Sequence, residues 1–134
     1  MPAGYSGTPL AKKLGIKPGN HIKLVNEPDH YRDLFEDWPE EVNVDANGTD
    51  LDFVHLFITQ EKDLEPLVRD AMTRLKKSGM VWVSWPKGAS KIETDLNRDI
   101  IRESVLEIGL VDVKVAAVDE DWSGLKFMYR KKDR

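Results

Sequence analysis

Three short stretches of the chain hold side chains that could bind or react with something. The first is Asn26-Glu27-Pro28-Asp29-His30-Tyr31, directly after the strand-like run His21-Ile22-Lys23-Leu24-Val25. A loop in that place grips a pyrophosphate or a nucleotide-like cofactor through backbone amides, which needs glycines for close approach. None is present, so only Asn26 and its neighbours' side chains remain as ligands. The second stretch is Ser84-Trp85-Pro86-Lys87 with Ser90 and Thr94 in the loop beyond it. The third is Trp122, Ser123 and Lys126. If the last strand lies beside the one ending at Trp85, these two stretches meet. They would then form a pocket with two aromatic walls, two ammonium groups, hydroxyls and the amides of a helix start, suited to a small anion or a nucleotide-like ligand. The same indoles would serve equally as caps on a core at the strand ends.

Other constellations argue against particular reactions. His21, His30 and His55 fall on different elements with no metal-ligand spacing, so no metal site is expected. His55 sits inside the most apolar run and reads as a satisfied buried residue. His30, beside Asp29, is the better acid–base candidate. Ser84, Ser90 and Ser123 lack the Gly-x-Ser-x-Gly elbow of a hydrolase. Lys87 to Lys91 lacks the spaced glycines and Lys-Ser/Thr pair of a phosphate loop. Asp119, Glu120 and Asp121 could hold a cation or act as a base, but at a hairpin tip they serve solubility. No catalytic residue is assigned.

The elements that position these stretches follow from periodicity. Thr8 and Pro9 open a short helix closed by Gly15. His21–Val25 is the first strand, and Tyr31–Phe35 a brief helix. A weak strand at Val42–Val44 lies in an acidic segment whose strongest turn signal is Asn47-Gly48. Leu51–Ile58 is a nearly continuous apolar run, as for a strand covered on both faces. Leu64, Leu67, Val68, Ala71, Met72 and Leu75 mark one face of a helix that Lys76, Lys77 and Gly79 should close. Met80–Trp85 is the next strand. Thr94 or Asp95 caps a helix carrying Leu96, Ile100, Val105 and Ile108, and two strands, 110–118 and 125–129, close the chain as an antiparallel hairpin.

This order predicts a single α/β domain over residues 1–134: three layers, Rossmann-like, with a mostly parallel sheet and a C-terminal antiparallel hairpin. At 134 residues it can bury about two-thirds of its unfolded surface without staples. The chain has no cysteine, and with no apolar signal run at the N-terminus this fits a cytoplasmic protein. No stretch is long and apolar enough to suggest a membrane span. The net charge is −4, yet residues 27–65 hold 13 of the 24 acids and two bases, a local −11 that leaves +7 elsewhere. That segregation favours a small anion at a basic rim over a long polyanion, so no nucleic-acid partner is expected.

From about residue 50 to 130, the succession of strand, helix, strand, helix and closing hairpin resembles the second half of class I methyltransferases. At finer grain, Ser6 to Gly15, Val83-Ser84-Trp85-Pro86-Lys87, Val111 to Val115, Val118-Asp119-Glu120 and Trp122 to Lys126 resemble the bacterial family known as domain of unknown function 3052. That resemblance implies the fold and carries over no catalytic residue. The expectation is a non-catalytic ligand-binding or protein-interaction module on a degenerate methyltransferase-like scaffold, with no cofactor. The alternative is a divergent S-adenosylmethionine-dependent methyltransferase. A protein partner would pair at the closing hairpin's edge or at acidic residues 36–52.

Overall fold

The structure is a computed structural model that describes residues 8–44 and 48–134. Its strands are β1 (His21–Val25), β2 (Asn43–Val44), β3 (Leu51–Phe57), β4 (Leu75–Pro86), β5 (Leu110–Ala117) and β6 (Trp122–Tyr129), joined in one sheet in the order β2-β1-β3-β4-β6-β5. The first four run parallel, and β6 enters antiparallel between β4 and β5. Helices α2 (Glu61–Arg74) and α3 (Arg98–Ile108) cover one face. The short helix α1 (Leu10–Leu14) and a 3-10 turn at Tyr31–Leu34 cover the other.

This two-sided cover explains the composition of β3. Val54 and Leu56 point into the core under α2 and α3, while Phe53, His55 and Phe57 point the opposite way toward Tyr31 and Trp82. A strand buried on both faces has no solvent side to place polar residues on, so its sequence loses the alternation seen at a surface. Asn47 of the expected Asn47-Gly48 turn lies outside the described residues.

Three expected helix boundaries move, each for a local reason. Helix α1 begins at Leu10 with Pro9 in extended conformation before it and no side-chain cap, so Thr8 does not cap it; Gly15 ends it at φ +94° as expected. Helix α2 ends at Arg74 rather than near Lys77. Leu75 is already extended and pairs with Leu51, because burying Leu75 against the sheet outweighs adding a polar turn to the helix. The cap of α3 is Asn97, whose Oδ1 accepts from the Ile100 amide at 2.9 Å. Thr94 and Asp95 lie upstream in the loop and bind other elements.

Gly79 therefore has a different job from ending a helix. Between the pairs Leu51↔Leu75 and Phe53↔Met80 the β4 strand bulges. A Cβ on Gly79 would lie 2.8 Å from Leu75 Cδ1 and 2.9 Å from the Leu51 carbonyl oxygen. Backbone cannot yield as a flexible side chain can. Gly79→Ala is expected to cost about 1–3 kcal/mol of unfolding free energy by urea denaturation; an unchanged midpoint would show that the bulge can open without strain.

Candidate functional site

The carboxyl ends of β3 and β4 open into a cleft of about 900 Å³, whose wall is the loop from Lys87 to Asn97 and whose floor includes Thr59, Gln60 and Trp85. In doubly wound sheets this edge is where ligands bind. The loop is held at both ends by hydrogen bonds. The Lys87 amide donates to the Asp121 carbonyl at 2.8 Å, and Ser90 Oγ donates to Asp121 Oδ1 at 2.9 Å. Thr94 Oγ1 donates to the Thr59 carbonyl at 2.6 Å, and Asp95 Oδ1 accepts from the Glu61 amide at 2.8 Å. Asp95 thus satisfies one of the orphan donors at the start of α2 instead of starting α3. Lys62, Lys87 and Lys91 give the cleft three ammonium groups, and Glu93 and Asp95 two carboxylates.

Of the expected site residues, Trp85, Lys87, Ser90 and Thr94 line this cleft, and the others stand elsewhere. Pro86 faces Trp122 across the β4–β6 pair and Trp85 faces Ser123. Successive residues of a strand point to opposite faces, so this register puts the two indoles on opposite sides of the sheet. They do not form two walls of one pocket. Trp85 joins the core under α2 and α3, Trp122 joins the core with Tyr31 and Phe57, and each retains only 8% exposure. Lys126 pairs with Trp82, well below the rim, and points to the face that α1 covers in part. Asn26, at φ +58°, borders a separate cavity of about 260 Å³ between β1 and α2.

Ser84 is fully buried and belongs to a polar chain that sequence reasoning missed. Tyr31 Oη lies 2.9 Å from His55 Nδ1, and His55 Nε2 lies 2.7 Å from Ser84 Oγ. The His55 ring stacks on Phe57 with centroids 4.2 Å apart. Burial pushes the imidazole down to about 3, since the surrounding aromatic rings cannot replace the water that would solvate a cation. Burial, followed by the charge of Glu27, pushes the Tyr31 hydroxyl upward. A histidine held neutral by that much accepts a hydrogen bond on one nitrogen and donates on the other. Those two bonds tie β3 to β4 and to the turn after β1.

A second link joins the loop after β1 to the hairpin. His30 Nε2 lies 3.0 Å from Asp119 Oδ2, the imidazole half exposed and the carboxylate 8% exposed. Asp119 Oδ1 accepts the amides of Asp121 and Trp122, both at 2.8 Å. The partner of His30 is therefore Asp119, not the adjacent Asp29. Asp119 shapes the turn from within instead of presenting a carboxylate to solvent. No group of histidine and acidic side chains among the described residues is placed to hold a metal ion.

The family description "protein of unknown function (DUF3052)" matches residues 11–131. The chain belongs to that DUF3052 family. No curated protein matches the sequence. Among solved structures, a SAM dependent methyltransferase from Aquifex aeolicus overlays with a TM-score of 0.61 at 12% identity, over 90% of this chain and 88% of that one. A TehB-like SAM-dependent methyltransferase from Corynebacterium glutamicum gives 0.55 at 12%, over 96% and 91%. Aeropyrum pernix fibrillarin in complex with natively bound S-adenosyl-L-methionine gives 0.55 at 12%, over 89% and 73%. At such identities the likeness is one of fold: the DUF3052 chain is a Rossmann-like, methyltransferase-like α/β protein with an antiparallel closing hairpin. Among its described residues no helix is long and apolar enough to cross a membrane.

The buried imidazole makes the DUF3052 chain sensitive to acid in a defined direction. In the unfolded chain His55 titrates near 6.5 and in the folded chain near 3. Between those values the unfolded state binds the additional proton, so stability falls as pH falls, by at most about 1.4 kcal/mol per pH unit. His55→Gln, which cannot titrate, is expected to show a shallower loss of unfolding free energy between pH 6.5 and 4 in urea titrations. Parallel profiles for the two proteins would mean that His55 is charged in the fold.

Proposed function

We propose that this DUF3052 protein is a non-catalytic module that binds a small anionic or nucleotide-like ligand in the cleft beyond β3 and β4. The observation carrying this reading is the cleft itself. It lies at the binding edge of the sheet, its volume falls in the usual range of small-molecule pockets, and its wall is braced by four hydrogen bonds. Three lysines give it affinity for an anion, and Ser90, Thr94, Gln60 and Asn97 supply neutral hydrogen-bonding groups.

Beyond β1, apart from the cavity of about 260 Å³ beside Asn26, aromatic rings pack closely against one another. Tyr31 packs edge-on to Phe57 at 5.7 Å between centroids, and Trp122 to the same ring at 5.0 Å. The contact of His30 with Asp119 spans the loop above them. With no glycine in Asn26 to Tyr31 to admit a cofactor's backbone contacts, this favours binding without methyl transfer. Pairing through the edge strand β5 is the weaker reading, because the bulge at Val113 and the adjacent Lys114 are features that discourage strand addition. A divergent methyltransferase is favoured by one observation, the overlay of nearly the whole chain on S-adenosylmethionine-dependent enzymes.

Calorimetric titration separates these readings. Adenosine monophosphate is expected to bind, and Lys91→Gln to weaken it by roughly tenfold by removing a charged contact. S-adenosylmethionine is expected to give no heat at millimolar concentration; micromolar affinity would overturn the non-catalytic reading in favour of the methyltransferase. Absence of adenosine monophosphate binding, or equal binding by Lys91→Gln, would count against the cleft. Trp85→Ala is expected to lose about 3–5 kcal/mol of stability, as for a core aromatic. A Trp85→Ala protein that melts like the wild type would place that indole in the cleft rather than in the core.

A further inference from the structure

On the face of the sheet opposite the α3 side, the outer two strands carry lysines where neutral or opposite charges would be expected. Lys114 of β5 and Lys126 of β6 are direct cross-strand partners. Like charges in that position repel, and most sheets avoid them. Helix α1 is only five residues long and adds to the problem. Its last turn brings Lys13 close, with Lys114 Nζ donating to the Lys13 carbonyl at 3.1 Å, and Lys17 follows in the next turn. Lys126 Nζ reaches the end of the same helix, 3.7 Å from where a Cβ on Gly15 would stand.

Burial, and then the charges of Lys114 and Lys17, hold the Lys126 ammonium below the ordinary range. Lys13 is lowered in the same way, first by burial and then by Lys114 and Lys87. Among the described residues no ion pair involves Lys17, Lys114 or Lys126. The end of α1 attracts cations through its free carbonyls, which accounts for one ammonium there but not for three or four.

We propose that Lys17, Lys114 and Lys126, with Lys13 beside them, form a binding site for a compact multivalent phosphate, free or carried on a nucleotide. Such an anion fits because several ammonium groups converge on one small area instead of tracking along a stripe, as a polymer backbone would require. Partly dehydrated lysines strengthen the attraction, since less water must be displaced and the local screening is weaker. None of Lys17, Lys114 and Lys126 lines the Trp85 cleft, so the site can fail or hold independently of it.

Inorganic pyrophosphate and ADP are the probes, titrated calorimetrically at low ionic strength into wild type, a Lys114→Gln/Lys126→Gln double variant and a Lys131→Gln control. Wild type and control are expected to bind pyrophosphate, and the double variant to bind at least tenfold more weakly. Equal affinity for ADP and pyrophosphate would mean that the phosphates alone are recognised, and tighter ADP that a base contributes as well. The double variant is expected to melt at or above the wild-type temperature without ligand, since it removes repulsion, so its loss of binding would not reflect unfolding. No binding by wild type, or equal binding by the double variant, would overturn the site. So would a single-stranded oligonucleotide that binds more tightly than pyrophosphate and is lost in the same variant, which would assign the surface to nucleic acid.

Discussion

The antiparallel insertion of β6 between β4 and β5 is the constraint on which the rest of this molecule depends. Seven residue pairs, from Pro86↔Trp122 down to Met80↔Met128, set the strand in one register. Because side chains alternate along a strand, that register decides which core each belongs to, and a slip of one residue would exchange every assignment. It sends Trp85 beneath α3 and Trp122 beneath Tyr31, and it brings Gly124 beside Ser84 and Trp82. There a Cβ would lie 3.0 Å from the Trp82 ring and 3.1 Å from Ser84 Oγ. It also sets Lys126 beside Lys114 and carries the hairpin turn to the carboxyl edge, where Asp121 braces the cleft loop and Asp119 meets His30.

The region after β1 shows how a short segment can cover one face of a sheet. A helix would ordinarily follow the first strand and cover the sheet. Here four residues of 3-10 turn take its place, and the cover is made by rings: Tyr31, Phe35, Trp38, Phe57 and Trp122, in successive edge-on or tilted contacts of about 5 to 6 Å. Aromatic rings fill much volume with few torsions to restrain, so a short segment can close a large gap. The Tyr31–His55–Ser84 chain runs through this aromatic core and satisfies the polar groups that the packing isolates from water.

Much of the architecture was legible from local pattern. The apolar run of β3, the amphipathic faces of α2 and α3, Gly15 at the end of α1 and the closing hairpin are short-range signals, and each reflects energies settled within a turn or two of chain. Of the residues lining the cleft, Trp85, Lys87, Ser90 and Thr94 were legible because one continuous segment, the end of β4 and the loop after it, carries them. What misled was any inference that joined distant stretches. Leu75 reads as the last apolar residue of a helix until Leu51 is there to pair with it. Asp95 reads as a cap for the helix that follows it, yet binds the helix that precedes it. His30 shows the same limit, for its nearest acid in sequence is Asp29 and its partner is 89 residues away.

By itself, the sequence determined the α/β class, the number of layers, the absence of thiol chemistry and a loop after the first strand without glycine. All of these are properties of composition or of periodicity along one segment. Only the tertiary structure decided which face each strand residue occupies, that the two indoles stand apart, that Ser84 and His55 are sealed in the core, and that lysines from three segments converge on one surface. Such relations depend on strand register and on contacts between residues far apart in the chain. Their energies arise only when the sheet is assembled, so no local pattern encodes them.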